Sequence, residues 1–549
     1  MAEPIDTIPY GDDNGIVPYL RKKSFSNKDG SKREYLFLVE SVRTEDGKVR
    51  QKVVGNVGRL DVLRASGALE RLRAGLEKFI SGRVPLNEIK ESPTFRWAKR
   101  FGSIFFLRKL WEKWNYQSLF EKHLSKWNET IFCMVANRLL DPSSKLGIEE
   151  WKEQYYVPAW DKLKVHHFYR AMDDLMKEKE AIDTTLASQA INLFSGDISM
   201  VMFDTTSVRH WGEGEFAEVL AHGYSKEKRG DFPQVIVGVL MTKDGIPFAH
   251  RVWKGNQSDL KSFAEIIEDA KEQYGLKEIT WVADRGMVSE KNLELLEKLG
   301  LQYVLGVRMR HLEKETREKL LNENVGFKVV NDRLQVKDIK LDKKRYIVCF
   351  NPLEAEKHRK KREYFKKILQ KKVAFDTARS FLIKNGYKKY LKLIGRLDID
   401  WERFEKEEIY DGKWVLLTNS PLKDKAVGQA YKDLWQIERS FRTLKSPLAV
   451  DPMFHWTEKR IRAHIFICFI ALQIYLLMER HLKEQKQDSS IPRMLAELDR
   501  IHSINQVLND EDSVIHLTEA SDRAKEIFDY FKMEKPIKLQ GMLLGAKKG

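Results

Sequence analysis

Short apolar runs separated by turns characterise the start of the chain, and helical spacing follows. Residues 17–60 contain β-branched and aromatic runs broken by Asp-Gly pairs at 29–30 and 46–47, which predicts β-hairpins. Between residues 60 and 195, large apolar residues recur every three or four positions, as from Phe105 to Trp114, which predicts helices. Pro142 and the two serines after it predict a break between two of these helices.

Near residue 198 the pattern changes from helical spacing to strands. Apolar runs at 198–203, 233–241 and 246–253, with a tight Lys-Asp-Gly turn before the third, predict an antiparallel meander. A helix to about Tyr274, a strand at 278–283, a helix at 289–299 and a strand at 302–307 then complete a β-β-β-α-β-α-β series. We therefore predict an α/β fold in which five strands form one mixed sheet.

A charged segment, residues 308–413, interrupts this series. It contains a basic run from Lys357 to Lys372, which predicts either a solvated helix face or an arm that binds a polyanion. The series resumes with a strand at 414–418, whose first residue, Trp414, is expected to be core. One long helix is predicted after it, from about Lys425 to Lys445.

The charge balance favours a polyanionic partner. Lys and Arg number 97 and Asp and Glu number 81, so the net charge is +16 and the isoelectric point is near 9.3. Hydrophobic residues make up 42% of the chain, which suffices for sizeable cores. The three cysteines lie far apart and form no CxxC pair, which argues against a disulfide framework and fits a reducing cytosol.

Neither the N-terminus nor the most apolar stretch of the chain has the pattern of a membrane-targeting or membrane-spanning segment. The first residues, MAEPIDTIPYGDD, are acidic and lack the apolar run of a signal peptide. The most apolar stretch, Ile465 to Met478, is about 14 residues long and too short to span a bilayer. We therefore predict a buried core helix there and no membrane partner.

Two aspartates stand where predicted apolar strands end. Asp204 follows the run at 198–203, and Asp284 follows the run at 278–283. If these strands are neighbours in the sheet, their carboxylates come close together and repel each other. A divalent cation would relieve this repulsion, and Mg²⁺ prefers oxygen ligands.

A third carboxylate, Glu438, lies on the predicted long helix. Tyr431, Trp435, Glu438, Arg442 and Lys445 are separated by four, three, four and three residues, so they share one helical face. This face predicts either an acid that points at metal ions and phosphates or an amphipathic helix with a Glu-Arg pair. The spacing alone leaves both interpretations open.

These segments resemble those of the DDE transposases of bacterial insertion sequences, which have a ribonuclease H-like core. In one group the third acid lies in a Y-x2-R-x3-E-x6-K helix motif. Tyr431, Glu438 and Lys445 stand at the motif's positions, whereas Leu434 stands where the motif has Arg. Phe-Asp-Thr-Thr at 203–206 and Ala-Asp-Arg-Gly at 283–286 resemble the first and second acid motifs. The resemblance covers about residues 198–480 and, more weakly, the basic N-terminal hairpins.

The resemblance implies a ribonuclease H-like mixed five-stranded core with a β-containing insertion at 308–413. It also implies that Asp204, Asp284 and Glu438 hold two Mg²⁺ or Mn²⁺ ions and catalyse DNA cleavage and strand transfer. The expected partners are terminal inverted repeats and target DNA, bound by a homodimer on paired ends, in a bacterial cytoplasm near the nucleoid. Two alternatives stay open, namely a catalytically idle DNA-binding protein derived from a transposase and a hydrolytic nuclease on the same fold.

Further residues are expected to bind DNA. Four on the long helix would contact phosphates: Tyr431, Arg439, Arg442 and Lys445. Arg439 or Arg442 would compensate for Leu434, or the cleaved end is held more loosely. Trp401, in the insertion, is the candidate for stacking on a flipped base if the transposon end forms a hairpin.

Six regions follow from the pattern and the resemblance together. They are a basic β-hairpin region at 1–60, a helical DNA-end-binding domain at 61–195, the first part of the catalytic core at 196–307, an insertion subdomain at 308–413, the second part of the core with the acid-bearing helix at 414–480, and a helical C-terminal region at 481–549. The helical region is either this DNA-end-binding domain or a plain helical scaffold, and the cations of the hairpins either contact DNA or form a solvated sheet face.

Overall fold

The structure of the protein is a computed structural model. It describes residues 18–26, 32–43, 49–69, 72–73, 94–120, 125–190, 199–212, 217–223, 231–274, 279–322, 326–373, 390–394, 396–507, 512–536 and 543–545. The chain divides into two compact units, residues 1–94 and 95–549, and each is described by itself.

The first unit contains an antiparallel sheet, in agreement with the predicted hairpins. Strands β1 (Tyr19–Ser26), β2 (Lys32–Arg43) and β3 (Val49–Arg59) form it, with β2 in the centre. Helix α1 (Leu60–Ala65) follows directly. The two predicted Asp-Gly turns lie outside the described residues.

The second unit begins with a strand and a group of helices. The elements are β4 (Phe95–Arg100), α2 (Gly102–Lys113), α3 (Ser125–Leu140), α4 (Lys145–Trp151), α5 (Val165–Lys177) and α6 (Lys179–Ala190). The predicted break after Leu140 is confirmed, since the Ser144 hydroxyl caps α4 by accepting a hydrogen bond from the Gly147 amide. The prediction of helix alone from 60 to 195 is wrong at β4, because this strand is stabilised by a partner some 400 residues later in the chain.

The predicted five-stranded core is present. Its elements are β5 (Met200–Arg209), β6 (Gln234–Thr242), β7 (Pro247–Lys254), α7 (Asp259–Tyr274), β8 (Thr280–Ala283), α8 (Glu290–Lys298) and β9 (Gln302–Val307). The spatial order is β9-β8-β5-β6-β7; β5, β8 and β9 are parallel, and β6 and β7 pair antiparallel. This is the order and direction of strands in a ribonuclease H-like core.

The insertion widens this sheet. It consists of α9 (Lys314–Asn322), β10 (Lys328–Asn331), β11 (Leu334–Leu341), β12 (Lys344–Phe350), α10 (Pro352–Val373), β13 (Leu391–Ile394), β14 (Arg396–Ile399) and α11 (Trp401–Lys406). The strand β15 (Lys413–Thr418) then joins β9 to β12, so nine strands form one sheet in the order β10-β11-β12-β15-β9-β8-β5-β6-β7. Among the described strands, β13 and β14 pair with each other and with no third strand.

The predicted helix from 425 to 445 is wrong in one respect, because it is two helices. Helix α12 (Asp424–Lys432) ends before α13 (Trp435–Lys445) begins. Between them the Leu434 amide donates to the Tyr431 carbonyl, and the Ile437 amide donates to the Leu434 carbonyl. Such three-residue bonds wind the chain tightly and bring positions i and i+3 into line. As a result, Tyr431 and Leu434 both pack against the core.

The most apolar stretch forms α14 (Glu458–Glu484), which confirms the predicted core helix. Within the described residues it is long and apolar enough to cross a membrane, but 94% of its most apolar window is buried inside the protein. One side of the sheet, including Met202 and Val282, packs in the same core as α14 and α13. The opposite side, including Phe203 and Ala283, packs against α7.

The prediction of a purely helical C-terminal region is wrong. Besides α15 (Ile491–Leu498) and α16 (Asp522–Tyr530), this region contains β16 (His502–Val507), β17 (Asp512–Leu517) and β18 (Leu543–Gly545). These strands form a four-stranded sheet with β4, in the order β18-β17-β16-β4. The buried residues at the start of His502–Val507 are the polar Ser503 and Asn505, so the sequence shows no apolar alternation that would predict this strand.

A buried cationic pair lies where the N-terminal helices meet the core. Arg138 on α3 donates to the backbone carbonyls of Ser143 and Ala449. Lys145, the first residue of α4, is only 2% exposed, and its amine has no hydrogen-bond partner among the described residues. Burial, reinforced by the Arg138 charge, lowers the pKa of Lys145 to about 7.

We expect Lys145 to make stability depend on pH. Between pH 7 and 10.5 the amine is neutral in the folded protein and charged in the unfolded chain, so unfolding takes up a proton. The free energy of unfolding should therefore rise with pH in this window, by up to about 1.4 kcal/mol per pH unit. Lys145→Met should flatten this rise in denaturant titrations at several pH values, whereas Lys162→Met, at an exposed position, should not. An unchanged slope in Lys145→Met would contradict the assignment.

A second interaction ties the segment after α13 to the core sheet. At the end of β5, Arg209 Nη2 lies 2.8 Å from Asp451 Oδ2, and the Arg209 amide donates to Asp451 Oδ1 at 2.9 Å. The Met453 amide in turn donates to the Arg209 carbonyl. The Asp451 side chain is only 4% exposed, so little water competes for these bonds.

Asp451→Ala should destabilise the protein by about 3 kcal/mol, because it removes the carboxylate that binds a partly buried guanidinium and the Arg209 amide. Chemical denaturation gives the difference. The control is Glu402→Ala, which removes an exposed ion pair with Lys406 and should cost far less. Equal losses in the two variants would show that the Arg209–Asp451 pair has no special role.

Candidate active site

Asp204 lies in the middle of a core strand. The sequence predicted that the strand ends before it, but β5 continues to Arg209 because Thr205, Thr206 and Ser207 are buried and pair with β6. Side chains alternate along a strand, so Asp204 shares the side of Met202, which packs in the same core as α13 and α14. The Asp204 carboxylate accepts a hydrogen bond from the Thr205 amide at 2.7 Å.

Asp284 follows the neighbouring parallel strand, as predicted. Phe203 pairs with Ala283, so Asp204 and Asp284 each come one residue after a paired position on adjacent strands. Asp284 opens a short turn in which the Met287 amide donates to the Asp284 carbonyl. Its Oδ1 accepts a hydrogen bond from the Tyr431 hydroxyl at 2.6 Å.

Glu438 completes a group of three acids around one cavity. It lies in the first turn of α13 and is exposed. Asp204, Asp284 and Glu438 line a cavity of about 250 Å³. The remaining lining residues are Trp414, Tyr431, Lys432, Leu434 and Trp435. Asp204 and Asp284, 80 residues apart in the sequence, are brought together by strand pairing. Glu438, 154 residues after Asp284, is brought to them by the packing of α13.

The oxygen donors suit a hard divalent cation, since neither His nor Cys lines the cavity. Among the described residues, no three His, Cys, Asp or Glu side chains lie close enough together to hold a metal ion between them. The three carboxylates therefore share a cavity without forming a closed ligand cluster. Their donor chemistry fits Mg²⁺ or Mn²⁺, and exposed Glu438 is the acid with the most freedom to move.

Tyr431 is fixed between the acid strand and the sheet. Its hydroxyl lies so close to Gly306 on β9 that a Cβ at this position would overlap it. Burial, followed by the Asp284 charge, raises the pKa of Tyr431 far above its usual value. The phenol therefore keeps its proton and donates a hydrogen bond to the Asp284 carboxylate. The sequence predicted a phosphate contact for Tyr431, and the contact found here is with Asp284.

The other expected DNA contacts lie in different surroundings. Arg439 pairs with Glu479 at 2.6 Å and lies over the Trp435 ring, so it is already engaged. Arg442 is exposed, and Lys445 is half-buried at the end of α13. None of these three lines the cavity.

Two tryptophans lie in different surroundings. Trp414 packs against the core, as expected, and also lines the cavity, and its indole N–H is buried without a hydrogen-bond partner among the described residues. Trp401 lies instead at the start of α11, with its ring against Phe404 and under the Lys366 amine. Trp435, 47% exposed, is a second aromatic of the cavity wall.

Asp259 supports the acid strands from the other side. Its Oδ1 accepts a hydrogen bond from the Thr205 hydroxyl at 2.5 Å, and its Oδ2 lies near Gly286 in the turn after Asp284. The sequence indicated only that Asp259 begins a helix. A contact between residues 54 positions apart has no signature in a single sequence.

Comparison with protein families agrees with this geometry. The model described as "Transposase DDE domain" matches residues 195–474, just over half of the chain. The chain belongs to the DDE transposase family. Residues 20–85 of the transposase match "IS1634 family transposase, N-terminal domain", which confirms the predicted insertion-sequence relationship. The DDE domain makes the transposase a polynucleotidyl transferase.

Comparisons with individual proteins add little. A search of curated proteins found no match. A cryo-EM structure titled as a piggyBac transposase synaptic complex with hairpin DNA is 7% identical, with a TM-score of 0.36 over 69% of this chain and 70% of the other. Neither this identity nor this TM-score assigns a property to this transposase.

Gly306→Ala should lower DNA cleavage by up to about 10²-fold, because the added methyl displaces Tyr431 and breaks its bond to Asp284. Cleavage rates would be compared with those of Gly326→Ala, where nothing lies near the added methyl. If the effect acts through the Tyr431 hydroxyl, Gly306→Ala should cost much less in a Tyr431→Phe background. Full additivity of the two changes would contradict this coupling.

Proposed function

We propose that the protein is the transposase of an insertion sequence that binds the terminal inverted repeats and catalyses DNA strand cleavage and strand transfer. The observation that carries this proposal is that three acids, from β5, from the end of β8 and from α13, line one cavity in a chain of the DDE transposase family. Carboxylates on rigid strands and one on a packed helix suit in-line displacement at phosphorus, in which positioning and charge neutralisation supply most of the catalysis.

Asp204, Asp284 and Glu438 would hold two divalent cations, Mg²⁺ or Mn²⁺. Bound there, the ions would activate the attacking oxygen and stabilise the leaving oxygen. Tyr431 would keep Asp284 in one orientation through its 2.6 Å hydrogen bond. Lys432 lines the same cavity and would attract the phosphate, and Trp435 would shield one wall of the site from water.

Arg442 and Lys445 would contact DNA phosphates beyond the cavity, since α13 carries both past Glu438. Arg439 would contribute less than the sequence suggested, because its guanidinium already pairs with Glu479. For Trp401 we keep the proposed role in stacking on a flipped base; a loss of hairpin formation with normal nicking in Trp401→Ala would support it.

The partners follow from the reaction. The transposase would bind two terminal repeats and a target duplex as a homodimer, since strand transfer joins two ends to one target. It would act in the cytoplasm, at the nucleoid. We further propose that residues 61–195 contribute to binding of the ends, although α2 to α6 belong to the same compact unit as the sheet.

The test is a Mg²⁺-dependent cleavage and strand-transfer assay on the inverted repeats that flank the gene. Asp204→Asn, Asp284→Asn and Glu438→Gln should each bind the DNA normally and cleave at least about 10³-fold more slowly. The matched control is Asp433→Asn. Asp433 lies in the turn between α12 and α13, accepts a hydrogen bond from Gln429 and does not line the cavity.

Each other outcome identifies a different function. Full activity in one of the three variants would remove that acid from the site. Wild-type protein that binds the ends but never cuts them would be an idle DNA-binding protein. Cleavage without preference for the ends and without joined products would indicate a hydrolytic nuclease.

A further inference from the structure

The N-terminal sheet has two faces of different chemistry. Three cross-strand pairs of β1 and β2 each join a cation to an aromatic residue: Arg21 with Phe37, Lys23 with Tyr35, and Arg33 with Phe25. Paired residues of neighbouring strands point to the same side of a sheet. These six residues therefore form one surface, which we call the aromatic–basic face.

The rings of this face are packed against one another. Phe25 lies edge-on to Tyr35 and Phe37, with centroid distances of 5.7 and 6.3 Å, and the Lys23 amine lies 5.6 Å from the Phe37 centroid. Phe25 nevertheless remains 50% exposed. At the far end, Gln51 on β3 donates to the Tyr19 hydroxyl at 2.5 Å, so the Tyr19 ring reaches across the central strand. The face is thus a firm surface.

The opposite face combines cations with acids. Glu34 and Glu40 are the only acids within the described strands β1 to β3, and the register puts both on this second side. Glu34 pairs with Lys22 at 2.8 Å, and Glu40 pairs with Lys52 at 3.3 Å. On the aromatic–basic face, by contrast, Arg21, Lys23 and Arg33 have no carboxylate partner among the described residues.

The most basic run of the sequence does not offer such a surface. On α10 most cations have acidic neighbours, and the paired residues are Lys357, Arg359, Lys360, Arg362 and Lys366. Of the two predictions made for this run, the ion pairs favour a solvated helix face. Arg21, Lys23 and Arg33 of the N-terminal sheet have no such ion pairs among the described residues.

We propose that the aromatic–basic face docks in the major groove of double-stranded DNA and recognises the ends of the element. The six residues of this face all lie on the two neighbouring strands β1 and β2, and the major groove, about 12 Å wide, admits a two-stranded β-ribbon. Arginines on such a surface can read guanine edges or grip phosphates. Duplex DNA fits better than a single strand, because Phe25 lies edge-on to both Tyr35 and Phe37 and the three rings form no parallel stack that would continue with bases.

This inference rests on the proposed function and names the surface that would select its substrate. The test compares two triple variants of the full chain with equal loss of charge. Arg21→Gln/Lys23→Gln/Arg33→Gln alters the aromatic–basic face, and Lys22→Gln/Lys32→Gln/Arg50→Gln alters the opposite face. Fluorescence anisotropy would follow binding to a duplex of the flanking inverted repeat, to a scrambled duplex and to one strand of the repeat.

The first triple variant should bind the repeat duplex at least about tenfold more weakly than the second and should lose its preference over the scrambled duplex. The slope of log K against log salt should become shallower by about 1 for each phosphate that the variant no longer neutralises. If the triple variant does not fold, as judged by circular dichroism, Arg33→Gln against Lys32→Gln makes the same comparison at exposed positions.

Equal losses in the two triple variants would overturn the proposal, because they would show that only net charge matters. Tighter binding of the single strand than of the duplex would also overturn it, in favour of a base-stacking surface. The cleavage assay separates this inference from the proposed function. Normal end selection by the first triple variant refutes only the inference, and a wild type that selects the duplex but never cuts refutes only the function.

Discussion

The parallel pairing of β5 with β8 is the constraint on which the candidate site depends. Phe203 opposite Ala283 fixes the register, and the buried faces of both strands leave no room for a shift by one residue. A shift by one position would turn one aspartate to the α7 side of the sheet and separate the two acids. The core that surrounds these strands therefore holds the two carboxylates near each other, although their like charges repel.

The third acid depends on a chain of weaker attachments. Glu438 belongs to a helix that no strand pairing holds, so its position depends on what packs around α13. Tyr431 attaches the preceding turn to Asp284, and the tight winding at Leu434 keeps both side chains at the cavity. Behind them, Arg439 attaches α13 to Glu479 on α14. Asp451 attaches the segment after α13 to Arg209 at the end of β5. Two acids are thus fixed by backbone pairing and one by side-chain contacts.

Features that depend on residues close together in the sequence were predicted, and features that depend on distant residues were mostly missed. The core strands, the buried helix α14 and the three acids have local signatures, because apolar runs and helical spacing lie within a few residues. The strand β4 pairs with β16, some 400 residues later in the chain, so its partner left no local trace. The hairpin of β16 and β17 is local, but His502–Val507 lacks the apolar alternation that predicts a strand. Asp204 was placed at a strand end because the apolar run stops there, although β-branched Thr205 and Thr206 continue the strand.

Tryptophans show the same limit at the site itself. Trp414 stands at the start of an apolar strand, and nothing in the local pattern separates it from the core residues that follow. Its neighbours in the cavity come from α12 and α13, whose positions are set by tertiary packing. A residue at the edge of a core and a residue in the wall of a cavity differ only in what packs on their last side, and a single sequence does not contain that information.

Leu434 changes the charge balance of the cavity in a way that bears on the proposed function. Three carboxylates and one lysine, Lys432, line it, and the nearby Arg439 is neutralised by Glu479. An arginine at 434 would have brought the balance closer to neutral. With leucine there, neutralisation of a DNA phosphate that approaches the acids depends on the divalent cations that these acids would hold. Attraction at longer range would come from other surfaces, and the cations of the aromatic–basic face are suited to supply it. Chemistry and capture of DNA would thus reside in different units of the same chain.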